Sequence, residues 1–221
     1  MTGDRKAVVV AIDGPAASGK GTLSRELAAR FNLAHLDTGS LYRAVAAKVL
    51  AAGQDPKDPI AAEAAARGLQ SSDLQRSDLR TPETAQASSI VAGQAKVRAA
   101  LLDYQRRFAA RAPGGVVGAV LDGRDIGTVV CPDADVKLFV TASKETRALR
   151  RHKELVERGD KATYDEVLEA MIARDRRDSE RATAPLEQAD DAHLLDTSEL
   201  GIEQAVAQAA AIIQRQAFSE G

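Results

Sequence analysis

Tryptophan is absent from the 221-residue chain, and aromatic residues make up only 3% of it. Binding single-stranded nucleic acid by stacking needs aromatic platforms, so that class is not expected. Charge of one sign is also missing: 30 Lys and Arg face 32 Asp and Glu, for a net charge of −2. Without a global basic field, neither DNA nor RNA is an expected partner. One cysteine, Cys131, rules out an internal disulfide framework, and three histidines leave little material for a zinc site. No apolar run is long enough to span a bilayer, and the lead-in at residues 1–6 opens a run too short for a signal sequence with its cleavage site. These absences lead to the expectation of a soluble, cytoplasmic, monomeric protein with a single domain over 1–221 and no membrane partner.

Hydrophobic residues are present in ordinary amount, 44% of the chain. Continuous apolar runs at 7–13, 116–122 and 137–140, with shorter ones at 34–37 and 192–196, read as strands buried on both faces. Between them, helical periodicity covers about 20–31, 40–52, 60–112 with a break near 71–82, 143–158, 164–181 and 201–216. The tail at 218–221 reads as frayed. The alternation predicts a three-layer α/β/α fold around a five-stranded parallel sheet. Ligands then bind at the carboxyl ends of the strands, where Asp13, Asp37, Asp122 and Asp196 fall.

The chain is organised around Gly14-Pro15-Ala16-Ala17-Ser18-Gly19-Lys20-Gly21-Thr22, between the first strand and the first helix. Strand, glycine-rich loop and helix in that order form a phosphate-binding P-loop. The loop turns its N–H groups inward, and the positive end of the helix faces the same point. Lys20 can reach the outer phosphates of a nucleoside triphosphate, and Thr22 can offer its hydroxyl to a phosphate or to the magnesium shell. Gly21 stands where the general motif has Ser or Thr. Gly-Lys-Gly-Thr resembles the nucleoside monophosphate kinases, in which a second nucleotide comes close to the loop.

Asp122 closes a buried strand, as a Walker B acid does, and can hold the water shell of Mg²⁺; it can equally serve as a turn or cap residue before Gly123. A GTPase would need Gly where Asp125 stands, and no Asn-Lys-x-Asp motif reads guanine. Arg147, Arg150, Arg151 and Arg158 share one helix, and Arg174, Arg176, Arg177 and Arg181 the next. Spacing alone favours a salt-bridged solvent face, since Glu145, Glu154, Glu157, Asp175 and Glu180 lie among them. Reaction chemistry shifts the balance. A nucleoside monophosphate is largely dianionic at neutral pH, because its second pKa is about 6. Its transfer reaction needs positioning and cations, not a general base. Arginines, a P-loop lysine and the absence of a candidate catalytic His or Cys suit that need.

Four blocks together, 11–22, 36–44, 121–130 and 174–186, resemble the bacterial cytidylate kinases along nearly the whole chain. The resemblance implies phosphotransfer from ATP to CMP, and by extension dCMP, with Mg²⁺. It implies catalytic roles for Lys20, Arg124, Arg174 and Arg181, and ATP binding by residues 14–22 with Arg151 and Arg158 closing from a lid at about 150–181. It implies that an acceptor region, about 38–112, carries Thr38, Tyr42, Arg43, Ser89 and Arg98. Arg124, Asp125, Asp178 and Arg181 complete the CMP site. Read from the residues, Tyr42 can instead cap the surface, and Arg98 can pair with Asp103 or Glu83. Ser88 competes with Ser89. His35 reads as a strand-edge core residue and Cys131 as a small buried hydrophobe. Another nucleoside monophosphate kinase, or a non-catalytic P-loop switch, remains open. The chain departs from the family at about 60–80, where almost no β-branched residues occur; a complete antiparallel insert sheet is not expected there.

Overall fold

The computed structural model describes residues 7–218. The lead-in at 1–6 and residues 219–221 of the tail, which carry the signal-sequence and fraying expectations, lie outside the described residues.

Five parallel strands form one sheet in the order β2-β3-β1-β4-β5. They are β1 (Val8–Asp13), β2 (Ala34–Asp37), β3 (Gly118–Gly123), β4 (Val136–Thr141) and β5 (His193–Asp196). The eight helices among the described residues are α1 (Lys20–Phe31), α2 (Thr38–Ala51), α3 (Pro59–Arg67), α4 (Pro82–Val91), α5 (Ala95–Ala110), α6 (Lys144–Glu157), α7 (Tyr164–Glu180) and α8 (Ile202–Ala217). The three-layer α/β/α architecture expected from the alternation is the one observed. The chain crosses from β1 to β2 on one side and from β3 to β4 on the other. The order therefore reverses beside β1, and the loop after β1 faces the resulting crevice.

Two apolar layers hold the sheet. Ile12, Val120, Leu138 and Leu195 pack with Leu23 and Leu27 of α1 and Ile213 of α8. Ala11, Leu36, Leu121, Ile126 and Val130 pack with Ala109 of α5 on the other side. Two satellites have small cores of their own. Leu41, Val45 and Val49 of α2 meet Ala62, Val91, Val97 and Leu101; Ala148, Leu155, Val167 and Met171 close α6 on α7.

Three local expectations change. β2 enters α2 without a turn, because the Asp37 side chain accepts from Ser40 N (3.2 Å) and caps the helix at once. The helical run after Pro59 is broken twice, and the second break lies between Val91 and Ala95. A single π-turn, Ile126–Val130, follows β3 where no helix is expected. No strand forms among residues 59–112. The shortened insert instead folds as two 3₁₀ turns, Ser71–Gln75 and Ser77–Arg80. Leu79 packs into Ala44 and Ala47 of α2, with Leu69 and Leu74 beside it. Lys48 pins the segment by donating to Gly68 O and Asp73 Oδ2, both at 2.9 Å.

Gly118 is the tightest point of the sheet. A Cβ there would lie 2.0 Å from the carbonyl oxygen of Val8, its register partner. Gly118→Ala must push β1 and β3 apart, and the expected cost is about 3 kcal/mol. A urea unfolding midpoint within error of the unsubstituted protein would refute this.

Candidate functional site

The P-loop is closed by packing as much as by its glycines. Gly14 has φ of +148°, and a Cβ on it would meet Val140 O at 1.9 Å. Ala17 adopts a left-handed φ of 57° without being glycine, a local strain found at ligand-binding turns. Gly19 precedes α1 with no side-chain cap, so the first N–H groups of the helix remain for an anion. Lys20 Nζ bends back to donate to Pro15 O at 2.9 Å. Burial, then the nearby Arg124, lowers its pKa to about 7.

Two cavities meet at this lysine. The first, about 240 Å³, brings together Lys20, Gly21, Thr38, Tyr42, Arg43, Ser89, Arg98, Asp122, Arg124, Asp125, Arg174, Asp178 and Arg181. The second, about 300 Å³, is lined by residues 16–22 with Arg151 and Arg158. They share Ala16, Ala17, Lys20, Gly21, Asp37, Arg43 and Arg174. The structure thus gathers the expected site residues in two adjoining spaces, except that Gly14 and Pro15 line neither. Thr22 borders only the second cavity and Asp122 only the first.

Carboxylates hold the arginines of the first cavity. Arg43 Nη2 donates to Asp37 Oδ2 at 2.6 Å. Arg124 Nε donates to Asp178 Oδ2 at 2.9 Å, and Arg174 Nε stands 3.9 Å from that oxygen. Burial and then Arg124 bring Arg174 down to about 10. Asp178 overcomes its own burial through Arg124 and Arg174, and its pKa is lowered. At the far end Arg98 bonds directly to Asp125, and Arg181 Nη2 lies 3.7 Å from the other oxygen of Asp125.

The geometry bears on several open alternatives, though Ser88 and Ser89 both line the first cavity. Arg98 pairs with Asp125, not with Asp103 or Glu83. Tyr42 is buried, with the Arg98 guanidinium 5.5 Å from its ring centroid, so it does not cap the surface. Ser88 donates to Ala85 O within its own helix at 2.8 Å, whereas Ser89 reaches Asp178 Oδ1 at 3.4 Å. Thr38 turns its hydroxyl to Asp122 O at 2.7 Å. His35 is more than a core residue of the edge strand: its Nε2 donates to Asp122 Oδ2 at 2.6 Å. Cys131 is only half-buried, and burial raises its thiol to about 11.

The arginine helices divide. Arg176 forms the solvent pair that spacing suggests, with Glu180 at 2.9 Å, and Arg151 pairs with Glu154 at 3.1 Å. Arg147 is buried instead; it donates to Asp175 at 2.7 and 3.1 Å and to Ala16 O at 3.3 Å, fastening α6 to α7 and to the P-loop. Its role was invisible in the sequence, because the partners lie 28 and 131 residues away. Asp13 was visible only as an acid closing an apolar strand. Its two oxygens accept from Ile126 N (2.8 Å) and Gly127 N (2.7 Å), while burial raises its carboxyl to about 7. Arg25 and Arg80 also line the second cavity and carried no recognisable signal.

Among the described residues no cluster of three His, Cys, Asp or Glu side chains forms a metal cage. Magnesium needs none, since it keeps several waters and takes one or two carboxylates plus substrate phosphates. Asp122 fits that requirement: His35 occupies one carboxylate oxygen, and no hydrogen bond among the described residues reaches the other. The Thr22 hydroxyl accepts from Arg25 Nη2 at 3.1 Å and stays at the mouth of the second cavity.

A lysine poised near pH 7 makes anion binding pH-dependent. A phosphate-like anion favours the ammonium form, so binding takes up a proton where the free lysine is neutral. Affinity for sulfate, which does not titrate in this range, is expected to fall by up to about tenfold per pH unit above pH 7 and to be flat below it. Calorimetric titration from pH 6 to 9 checks this, and Lys20→Arg should abolish the slope.

The cytidylate kinase family matches residues 10–215. A cytidylate kinase of Paramagnetospirillum magneticum (strain ATCC 700264 / AMB-1) is 62% identical over 205 residues, covering 93% of this chain and 97% of the relative. One from Xanthobacter autotrophicus (strain ATCC BAA-1158 / Py2) is 61% identical over 207 residues, 94% and 97% of the two chains. In fold alone, the chain is similar to an uncharacterized protein from Eubacterium ventriosum ATCC 27560, with a TM-score of 0.54 at 14% identity over 94% of this chain and 98% of that one. Among the described residues no helix is long and apolar enough to cross a membrane. With a family match across nearly its full length and relatives at this identity, the chain belongs to the cytidylate kinase family.

Proposed function

We propose that this protein transfers the terminal phosphoryl group of ATP to CMP and dCMP with Mg²⁺, acting as a cytoplasmic monomer. The observation that carries the reading is the shared wall of the two cavities, where Lys20, Arg43 and Arg174 stand with Ala16, Ala17, Gly21 and Asp37. Two anions entering from opposite sides meet there end to end. ATP occupies the P-loop side and CMP the side of Arg98 and Asp125.

The acceptor phosphate arrives largely dianionic, so its oxygen attacks without a base. Neither cavity is lined by His or Cys. Arg43, Arg124 and Arg181 orient the acceptor; Lys20 and Arg174 sit where charge accumulates on the moving group. Because Arg43 and Arg124 are already held by Asp37 and Asp178, they need little reorganisation at the moment of transfer. Magnesium, held through water by Asp122, supplies charge neutralisation on the donor phosphates when bound.

Base choice rests on Asp125. Cytosine offers an amino group at N4, which a carboxylate accepts, while its N3 and O2 accept from Arg98 and Ser89. Uracil presents an oxygen at position 4, which Asp125 repels. Asp125 and Arg98 are paired, so the acid and the guanidinium that would read the base already face each other.

Residues 38–112 serve as the acceptor-binding region and 150–181 as the lid. Each has an apolar cluster separate from the sheet layers, which suits a body that swings on short hinges such as Gly159, with φ of +82°. Closure by both excludes water and so prevents hydrolysis of ATP.

A coupled assay over the four nucleoside monophosphates is expected to show CMP well ahead of UMP, AMP and GMP. Asp125→Ala should cut the CMP-over-UMP ratio of kcat/KM by about tenfold or more and leave KM for ATP within a factor of about two. Faster turnover of AMP would favour another monophosphate kinase. Tight ATP binding with no acceptor-dependent turnover would favour a regulatory switch. Trypsin should cut between 150 and 161 more slowly only when both nucleotides are present; equal rates with and without them would remove the lid.

A further inference from the structure

The shortened insert leaves one cation without a partner. Leu79 is buried against α2, and the Thr81 side chain caps α4 by accepting from Thr84 N at 3.2 Å. Arg80 is therefore fixed in backbone between a hydrophobic anchor and a helix start. Its neighbour Arg76 is neutralised by Asp78, at 2.6 and 3.0 Å. Arg80 makes no side-chain hydrogen bond or ion pair among the described residues. It lines the P-loop cavity, and it does not line the Asp125 cavity.

The other cations of the P-loop cavity are mostly engaged. Arg43 is taken by Asp37, Arg151 by Glu154, and Arg25 by the Thr22 hydroxyl. Arg158 reaches across from the end of α6 to donate to Arg80 O at 3.5 Å. The lid tip and the 3₁₀ turn thus touch at the rim of the cavity, and Arg80 is the guanidinium there whose side chain has no partner among the described residues. A planar fork of five donors suits the oxygens of a polyphosphate.

We propose that Arg80 binds the phosphate chain of the donor nucleotide, so that the acceptor-binding region itself supplies a donor-side residue in this chain. The inference rests on the P-loop cavity being the ATP side. It gives the replacement of an insert sheet by 3₁₀ turns a chemical purpose: the shorter path brings a cation over the donor. With Arg80 on the phosphates and Arg158 on the Arg80 carbonyl, closure of one region draws the other.

The test is binding by calorimetry, with ATP alone and CMP alone. Arg80→Ala is expected to weaken ATP about tenfold, leave CMP within about twofold, and lower the salt dependence of ATP binding. Arg80→Lys should recover most of the loss, and the melting temperature of both variants should stay unchanged. Unchanged ATP affinity overturns the proposal. Equal weakening of ATP and CMP, or loss without recovery by lysine, makes Arg80 structural and overturns it too. If the unsubstituted protein binds ATP but phosphorylates no monophosphate, the kinase reading fails while the Arg80 result still stands.

Discussion

Like charges confined to a buried junction are the constraint on which this structure depends. Lys20, Arg43 and Arg174 converge where the two cavities meet, with Arg124 beside them in the first. Burial, and then their mutual repulsion, holds Lys20 near 7 and Arg174 near 10. Such a cluster survives folding only because acids are interleaved: Asp37 takes Arg43, and Asp178 takes Arg124. The lining of the first cavity remains short of negative charge, which makes the junction suited to an anion.

The rest of the architecture serves to keep that cluster assembled yet accessible. The sheet supplies a rigid floor through its two apolar layers. The satellites built on α2–α5 and on α6–α7 carry cations toward it from opposite sides, each on its own small core. Arg147 shows how the connections are made. It bonds a P-loop carbonyl and Asp175 of the neighbouring helix together, so the start of α6 is tied to both the loop and α7.

The fold was legible because its signals are local. Buried parallel strands read as unbroken apolar runs, and the P-loop is one contiguous motif; α1 falls at 20–31 as its periodicity requires. The gathering of the site residues was legible only through the family blocks, since the spacing of Arg174 and Arg181 suits a solvated face equally well. What stayed hidden is non-local. His35 finds Asp122 across 87 positions, and Arg147 finds Asp175 across 28. No periodicity encodes such meetings. Other misses were of conformation: the left-handed turn at Ala17 and the π-turn after Asp125 are forced by their surroundings and have no composition of their own.

The doubly occupied carboxylate of Asp13 has a mechanical consequence. Asp13 is the last residue before the P-loop, and its partners are the N–H groups of the two residues directly after Asp125. Both ends of the cleft therefore hang from one side chain, and the span between them is a gauge built into the sheet. An asparagine, with a single acceptor oxygen, could serve just one of those donors. That length is set by the sheet and the Asp13 carboxylate and not by α2–α5 or α6–α7.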